Sequence, residues 1–304
     1  MRLKREWRAT IALSAAAGGI MLLAACQKES HEVVAPIPDA VGEVRSGGGT
    51  YVYALTTSGG GSALTLVNTT SRRYATPARP IVGPGGLAVD HFTGMAWDAS
   101  SGCTWLVTDN TTGNSAFRNL LWRIAGPLPT PGSGGGTLTA NIVAPLREFG
   151  TALTVTDAWD IERDPASGII YLLRNSTVGA TPRMATLSVT GGTAGEVTNL
   201  PGTPPNIQAF TFDCSNRLMA LKSIAVPPQL LELNKVTGAS AGSSVSWSTN
   251  AFTAPDAGIE AVCSPPARII GVNAFVPTPS YGQNVTPFWS THGSLLSTVD
   301  MTSM

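Results

Sequence analysis

Five residues stand where side-chain chemistry could converge: Asp39, His91, Asp157, Asn206 and Asp256, separated by 52, 66, 49 and 50 residues. Such spacing suggests equivalent places in a repeated unit. Gathered into a ring, the carboxylates of Asp39, Asp157 and Asp256 would suit Ca²⁺, which takes oxygen ligands. The Asn206 amide and the His91 imidazole would complete that ring. A bound metal with an open coordination position could polarise a substrate or activate water for hydrolysis. Glu43 and Glu260 share a second equivalent position, and Asp160 lies close to the ring. A second reading stays open beside the first. Asp and Asn ahead of a strand commonly bond to their own backbone and shape the turn.

Other catalytic patterns are missing. The chain holds no G-x-S-x-G elbow, Walker loop, HExxH or CxxC, and its three histidines are His31, His91 and His292. That leaves little material for a Ser-His-Asp triad. The segment "VPTPSYGQNVTPFWSTHG", from Val276 to Gly293, offers Tyr281, Phe288, Trp289 and His292. Aromatic side chains on a surface loop suit contact with protein or carbohydrate, or else pack the loop onto its own sheet.

The elements that must position these residues follow from a phrase written twice. "WDASSGCTWLV" and "RDPASGIIYLL" align without a gap, placing Asp98 on Asp164, Ser101-Gly102 on Ser167-Gly168 and Trp105 on Tyr171. The frame extends to "DAGIEAVCSPPARIIGV" with Cys263 at the Asp98 position, and to "NIQAFTFDCSNRLMAL" with one turn residue dropped. It fits "DAVGEVRSGGGTYVYAL" by pattern. Each unit reads as an apolar strand, a Gly/Ser/Pro/Asn turn and a second strand with a large apolar residue. After a polar loop comes a third strand: "LTLVN", "LLWRI", "MATLSV", "LLELN" or "LLSTV". A weaker fourth strand closes the middle three units, as in "NIVAPL", "GEVTNLP" and "SSVSWST". Short β-branched runs between turn residues mark an all-β chain. Four antiparallel strands per unit of this length describe the blade of a β-propeller. The chain therefore predicts a propeller over 39–304 with five four-stranded blades. The fifth unit ends after its third strand, so the N-terminal segment "HEVVAPI" is expected to close the last blade, the other reading being a flexible tether.

The repeated phrase resembles the D-x-x-S-G-x-x-Y blade phrase of bacterial propellers of the YVTN and NHL-like kind. That resemblance implies a fold whose members include binders, scaffolds and enzymes, and five blades is fewer than those relatives commonly have. The start of the chain carries a second resemblance. Arg2, Lys4, Arg5 and Arg8 precede an apolar stretch from Ile11 to Ala25, the form of an export signal. It ends in Leu23-Ala24-Ala25-Cys26, which resembles the lipobox of bacterial lipoproteins. The resemblance implies that residues 1–25 are removed, that Cys26 is lipidated, and that 26–38 form a tether. Gln27 after the cysteine implies an outer-membrane or surface position in the cell envelope.

Removing the signal takes four Lys/Arg and one Glu from balanced totals of 19 each, leaving a mildly acidic chain. Nucleic acid is therefore not an expected partner, because phosphate neutralisation needs a basic patch. Besides Cys26 the cysteines are Cys103, Cys214 and Cys263. Cys214 and Cys263 sit one position apart in the repeat frame of consecutive units. An oxidising compartment allows them to pair; unpaired, they would serve as small apolar filler. Two functions are consistent with these features. One is a surface-anchored recognition or scaffold module for a protein or carbohydrate ligand. The alternative is a Ca²⁺-dependent extracellular hydrolase or lactonase at the channel mouth.

Overall fold

The structure, a computed structural model, describes residues 43–46, 49–58, 61–68, 73–98, 101–175, 182–189, 195–222, 229–246, 258–263, 268–272 and 296–300. Cys26, Asp39, Asp256, Tyr281, Trp289 and His292 lie outside these, as do the leader and the 26–38 segment.

The strands follow the repeat. The first unit holds β1 (Glu43–Ser46), β2 (Gly49–Ser58), β3 (Gly61–Asn68), the short β4 (Arg73–Tyr74) and β5 (Arg79–Val82). The second holds β6 (Phe92–Asp98), β7 (Cys103–Thr108), β8 (Leu120–Ala125) and β9 (Leu138–Glu148). The third holds β10 (Ala158–Arg163), β11 (Ile170–Asn175), β12 (Pro182–Ser188) and β13 (Gly195–Asn199). The fourth holds β14 (Ile207–Phe212), β15 (Leu218–Lys222), β16 (Gln229–Leu233) and β17 (Ser240–Ser246). Last come β18 (Gly258–Val262), β19 (Arg268–Val272) and β20 (Leu296–Asp300). Consecutive strands pair antiparallel from β6 to β9, β10 to β13, β14 to β17 and β18 to β20. Helix among the described residues is confined to two 3₁₀ turns, Pro84–Gly86 and Ser115–Phe117. The molecule is all-β.

The repeated phrase builds the turn between the first and second strands. Asp98 Oδ2 accepts from the Ser101 hydroxyl at 2.7 Å. Asp164 Oδ1 accepts from the Ala166 and Ser167 amides at 2.8 and 3.2 Å. Asp213 Oδ1 does the same for Ser215 and Arg217 at 3.0 and 2.7 Å. Each turn ends on a left-handed residue: Gly102 (φ 63°), Gly168 (φ 76°) and, in the turn one residue shorter, Asn216 (φ 60°). Glycine and asparagine adopt that conformation most readily. The repeated Asp and Gly thus specify a turn.

Buried positions alternate strictly on β6, run nearly unbroken on β14 and β15, and successive units share buried cores. Leu64 and Ile81 of the first unit share a core with Phe92, Leu106 and Trp122 of the second. Val107 and Leu146 meet Ile161 and Leu172. Tyr171 and Leu173 meet Phe210, Phe212 and Leu218. Ala209, Met219 and Leu230 meet Ile259 and Ala261. The first strands lie side by side. A Cβ on Gly94 would stand 2.7 Å from Asp160 Cα, and Thr93 Oγ1 donates to the Ala158 carbonyl at 2.9 Å. Antiparallel sheets stacked through their first strands with shared cores are the architecture of a β-propeller.

Two features go beyond the repeat pattern. The first strands of units two to four carry an irregularity at the same place, between Phe92 and Gly94, Ala158 and Asp160, and Ile207 and Ala209. The outer strands are also joined. Strand β9 pairs in parallel with β13 at Leu146–Glu148 and with β5 at Leu138–Thr139. Hydrogen bonding therefore runs from the first unit to the third as one sheet, which does not close on itself among the described residues.

Candidate functional site

Three of the five unit-opening residues are described, and each does something different. His91 precedes β6 and is half-exposed, with 47% of its side chain accessible. Its Nδ1 lies 3.2 Å from Asp109 Oδ1 and 2.8 Å from Thr111 Oγ1. The Thr111 hydroxyl donates to Asp109 Oδ1 at 2.7 Å, so its oxygen is left to accept from His91. Nδ1 therefore carries the proton, and Nε2 is the ring nitrogen left to act outward. The hydrogen bond to Asp109 raises the His91 pKa above its ordinary value, with burial working the other way. Burial raises the Asp109 carboxyl, but the bonds from His91 and Thr111 outweigh it and hold the group below the usual carboxylate range. In this tautomer His91 cannot take a proton from Thr111, so the trio is not a nucleophile–base pair.

Asp157 precedes β10 and meets Arg174, at the far end of β11. Arg174 Nε donates to Asp157 Oδ1 at 3.3 Å, and its NH1 pairs with Glu148 at the end of β9. One guanidinium thus serves two carboxylates. Burial raises the Asp157 pKa despite the opposing pull of Arg174, and Asp157 Oδ2 has no hydrogen-bond partner among the described residues. Asn206 precedes β14 with a left-handed φ of 66°, the conformation of a turn residue.

The structure brings two of these together. The Asn110 amide, next to Asp109, donates to the carbonyl of Thr156, next to Asp157, at 3.1 Å. The loop after β7 therefore bridges the openings of the second and third units. The result is a polar rim of two groups, His91 with Asp109 and Thr111 and Asp157 with Arg174 and Glu148, linked through the backbone. Among the described residues no three His, Cys, Asp or Glu side chains converge closely enough to hold a metal ion. Tyr281, Trp289 and His292, expected to contact carbohydrate or protein, fall outside the described part of the chain.

Asp160 sits deeper. Its Oδ1 accepts from its neighbour Ile161 at 2.9 Å and its Oδ2 from the Phe210 amide on β14 at 3.3 Å. The side chain keeps a small accessible edge, yet the protein packed about it pushes the carboxyl up to about 7, against the pull of those two amides. It joins the third unit to the fourth.

At the opposite end of the first strands a cavity of about 630 Å³ opens between the second and third units. Trp105, Ile169, Ile170, Leu187 and Val189 wall it, and Asp98 and Arg163 form part of its lining. Arg163 pairs with Asp98 across the junction at 3.0 Å. None of the described unit-opening residues, His91, Asp157 and Asn206, lines this cavity.

Sequence reasoning singled out His91 and Asp157 but not their partners Asp109, Arg174 and Glu148. The one available signal was position, since Asp109 directly follows the second strand of its unit as Asn175 ends that of the next.

No protein-family model and no curated protein matches the chain. Among solved structures, it is similar to the β-propeller domain of Myceliophteria thermophila Cps50 (Swd1), at 11% identity and a TM-score of 0.34, over 84% of this chain and 72% of that one. It is similar also to the major Malassezia sympodialis allergen Mala s 1, at 14% identity and a TM-score of 0.39, covering 74% of this chain and 69% of that one. A protein from Lactobacillus plantarum matches at 12% identity and a TM-score of 0.36, over 83% of this chain and 64% of its own length. At such scores the likeness adds nothing to the case for the fold, which rests on strand pairing and shared cores.

Proposed function

We propose that this chain is a surface-anchored β-propeller lipoprotein of five blades, with residues 31–37 closing the last, that recognises or scaffolds a protein or carbohydrate ligand. The observation that carries the reading is the polar rim. Units two and three set the accessible His91 imidazole, with its carboxylate and hydroxyl partners, beside a largely buried carboxylate–guanidinium cluster at one end of their first strands. Such groups give directional hydrogen bonds to a polar ligand. The lipobox-like sequence supports an anchor at Cys26, and the signal ahead of it supports export to the envelope.

The competing reading is a Ca²⁺-dependent hydrolase using Asp39, Asp157 and Asp256. It draws on Asp157 Oδ2, a carboxylate oxygen unpartnered among the described residues, while Arg174 beside it opposes cation binding. Thermal melting of the soluble chain with Ca²⁺, with EDTA and with a panel of glycans and peptides separates the two. A ligand that stabilises the protein at [L] near 100 Kd adds about 2.7 kcal/mol. The recognition reading expects stabilisation by a glycan or peptide, lost in His91→Ala/Asp157→Ala and indifferent to EDTA. Stabilisation by Ca²⁺ that Asp157→Ala/Asp256→Ala abolishes would transfer the case to the hydrolase.

A further inference from the structure

Two junctions between successive units are tied by the Asp of the repeated turn, and the junction between units four and five carries a tie of another kind. Asp98 of unit two pairs with Arg163 of unit three at 3.0 Å. Asp164, its equivalent, pairs with Lys235 of unit four at 3.0 Å. In unit five the same position of the repeat is Cys263, and it bonds to Cys214, the residue after Asp213, with Cα atoms 5.4 Å apart. At this junction the tie is covalent, and Asp213 pairs within its own unit, with Arg217 at 2.7 Å.

At that junction Ile259 and Ala261 of unit five share a buried core with Met219, Leu221 and Leu230 of unit four, and Cys263 packs against it. Cys214 is exposed and Cys263 half-buried, so the bond lies toward the surface of the junction. Exposed disulfides belong to the labile class, whereas buried structural ones resist exchange.

We propose that Cys214–Cys263 is a redox-sensitive clasp that fixes the β18–β20 sheet to the rest of the molecule and releases it on reduction by a dithiol. A reductant thiolate attacks Cys214 Sγ, forming a mixed disulfide and expelling Cys263 as thiolate. The second thiol of the reductant, as thiolate, then attacks its own sulfur in the mixed disulfide. Cys214 leaves as thiolate, and the reductant ends as a cyclic disulfide. Two electrons pass to the cysteine pair, and the reductant's two protons end on the cysteines or in solvent. Exchange with a small-molecule disulfide, itself reduced to two thiols, restores the clasp.

The test is hydrogen exchange on the purified full chain before and after dithiothreitol under native conditions, with the extent of reduction read by mass after alkylation. Selective acceleration of at least tenfold in Gly258–Val262 and Arg268–Val272 is expected, with Phe92–Asp98 and Ala158–Arg163 unchanged, and reversal on reoxidation. The variant Cys214→Ser/Cys263→Ser should show the reduced pattern without any reductant. If that variant does not fold, titration of the wild-type chain still decides. Unchanged exchange in β18 and β19 after complete reduction overturns the proposal, as does equal acceleration in every unit. So does a bond that stays intact until the protein is denatured. Ligand binding plays no part in this experiment, so its outcome is independent of the recognition reading.

Discussion

Asp164 is only 3% exposed, and a carboxylate removed from water stays ionised only with compensating partners. Burial works to raise its pKa. The Lys235 ammonium and the amides of Ala166 and Ser167 outweigh that and hold it at about 2. The Lys235 ammonium also lies 4.8 Å from the centre of the Phe212 ring, and its backbone carbonyl accepts from Tyr171. Asp164→Asn keeps an oxygen for the turn amides and loses the charge. By linkage the shift corresponds to about 2 kcal/mol, the loss expected from urea denaturation of the variant at neutral pH. A folded-state pKa below the unfolded one contributes stability above the unfolded value and loses it as pH falls through the folded value. The gap between wild type and variant should therefore narrow between about pH 4 and pH 2. An equal gap at both ends would show that the ion pair is not its source. The Asp and the Gly of this turn were legible in the sequence, because a local turn repeats with its residues. Lys235 was not, since it is supplied from 71 residues away and nothing local marks it.

Strands were legible where their causes are local. The third-strand phrases around Trp122, Met184 and Leu231 read as strands because apolar residues alternate between turn signals, and they are β8, β12 and β16. The irregularity shared by β6, β10 and β14 was not legible, nor was the parallel seam of β9 with β5 and β13. Both answer to the neighbouring unit and leave no local mark. Gly94 records that constraint: a Cβ there would come within 2.7 Å of both Asp160 Cα and the Ile161 nitrogen. Those are backbone atoms and cannot rotate away. Gly94→Ala should cost about 1–3 kcal/mol, the usual penalty of overpacking, and lower the melting temperature. Gly126→Ala meets no atom within 4 Å but has a left-handed φ of 116°, so Gly134→Ala, in open space at ordinary φ, is the better control. Equal melting of Gly94→Ala and that control would mean the first strands are not packed this closely.

A molecule built from units that each bury two faces against neighbours leaves an exposed face at either end unless the ring closes. The candidate rim was only half legible for a related reason. Repetition revealed His91 and Asp157, while Asp109 meets His91 from the loop after β7 and Arg174 meets Asp157 from β11. Two consequences at this scale concern the N-terminal region. Cys26→Ser removes the thiol that a thioether-linked lipid requires. The protein should then leave the membrane fraction for the soluble one, since stable anchoring takes two acyl chains; unchanged fractionation would remove the lipoprotein reading. The ring itself is tested most directly by the melting temperature of the chain lacking residues 27–38, compared with the otherwise identical chain that keeps them. If this segment supplies the outer strand beside β20 (Leu296–Asp300), its loss removes several ladder hydrogen bonds, each worth about 1 kcal/mol net, and bares a strand edge prone to aggregation. Against a typical total of roughly 5–15 kcal/mol, the account predicts a clear fall in melting temperature. Identical melting of the two chains would contradict it.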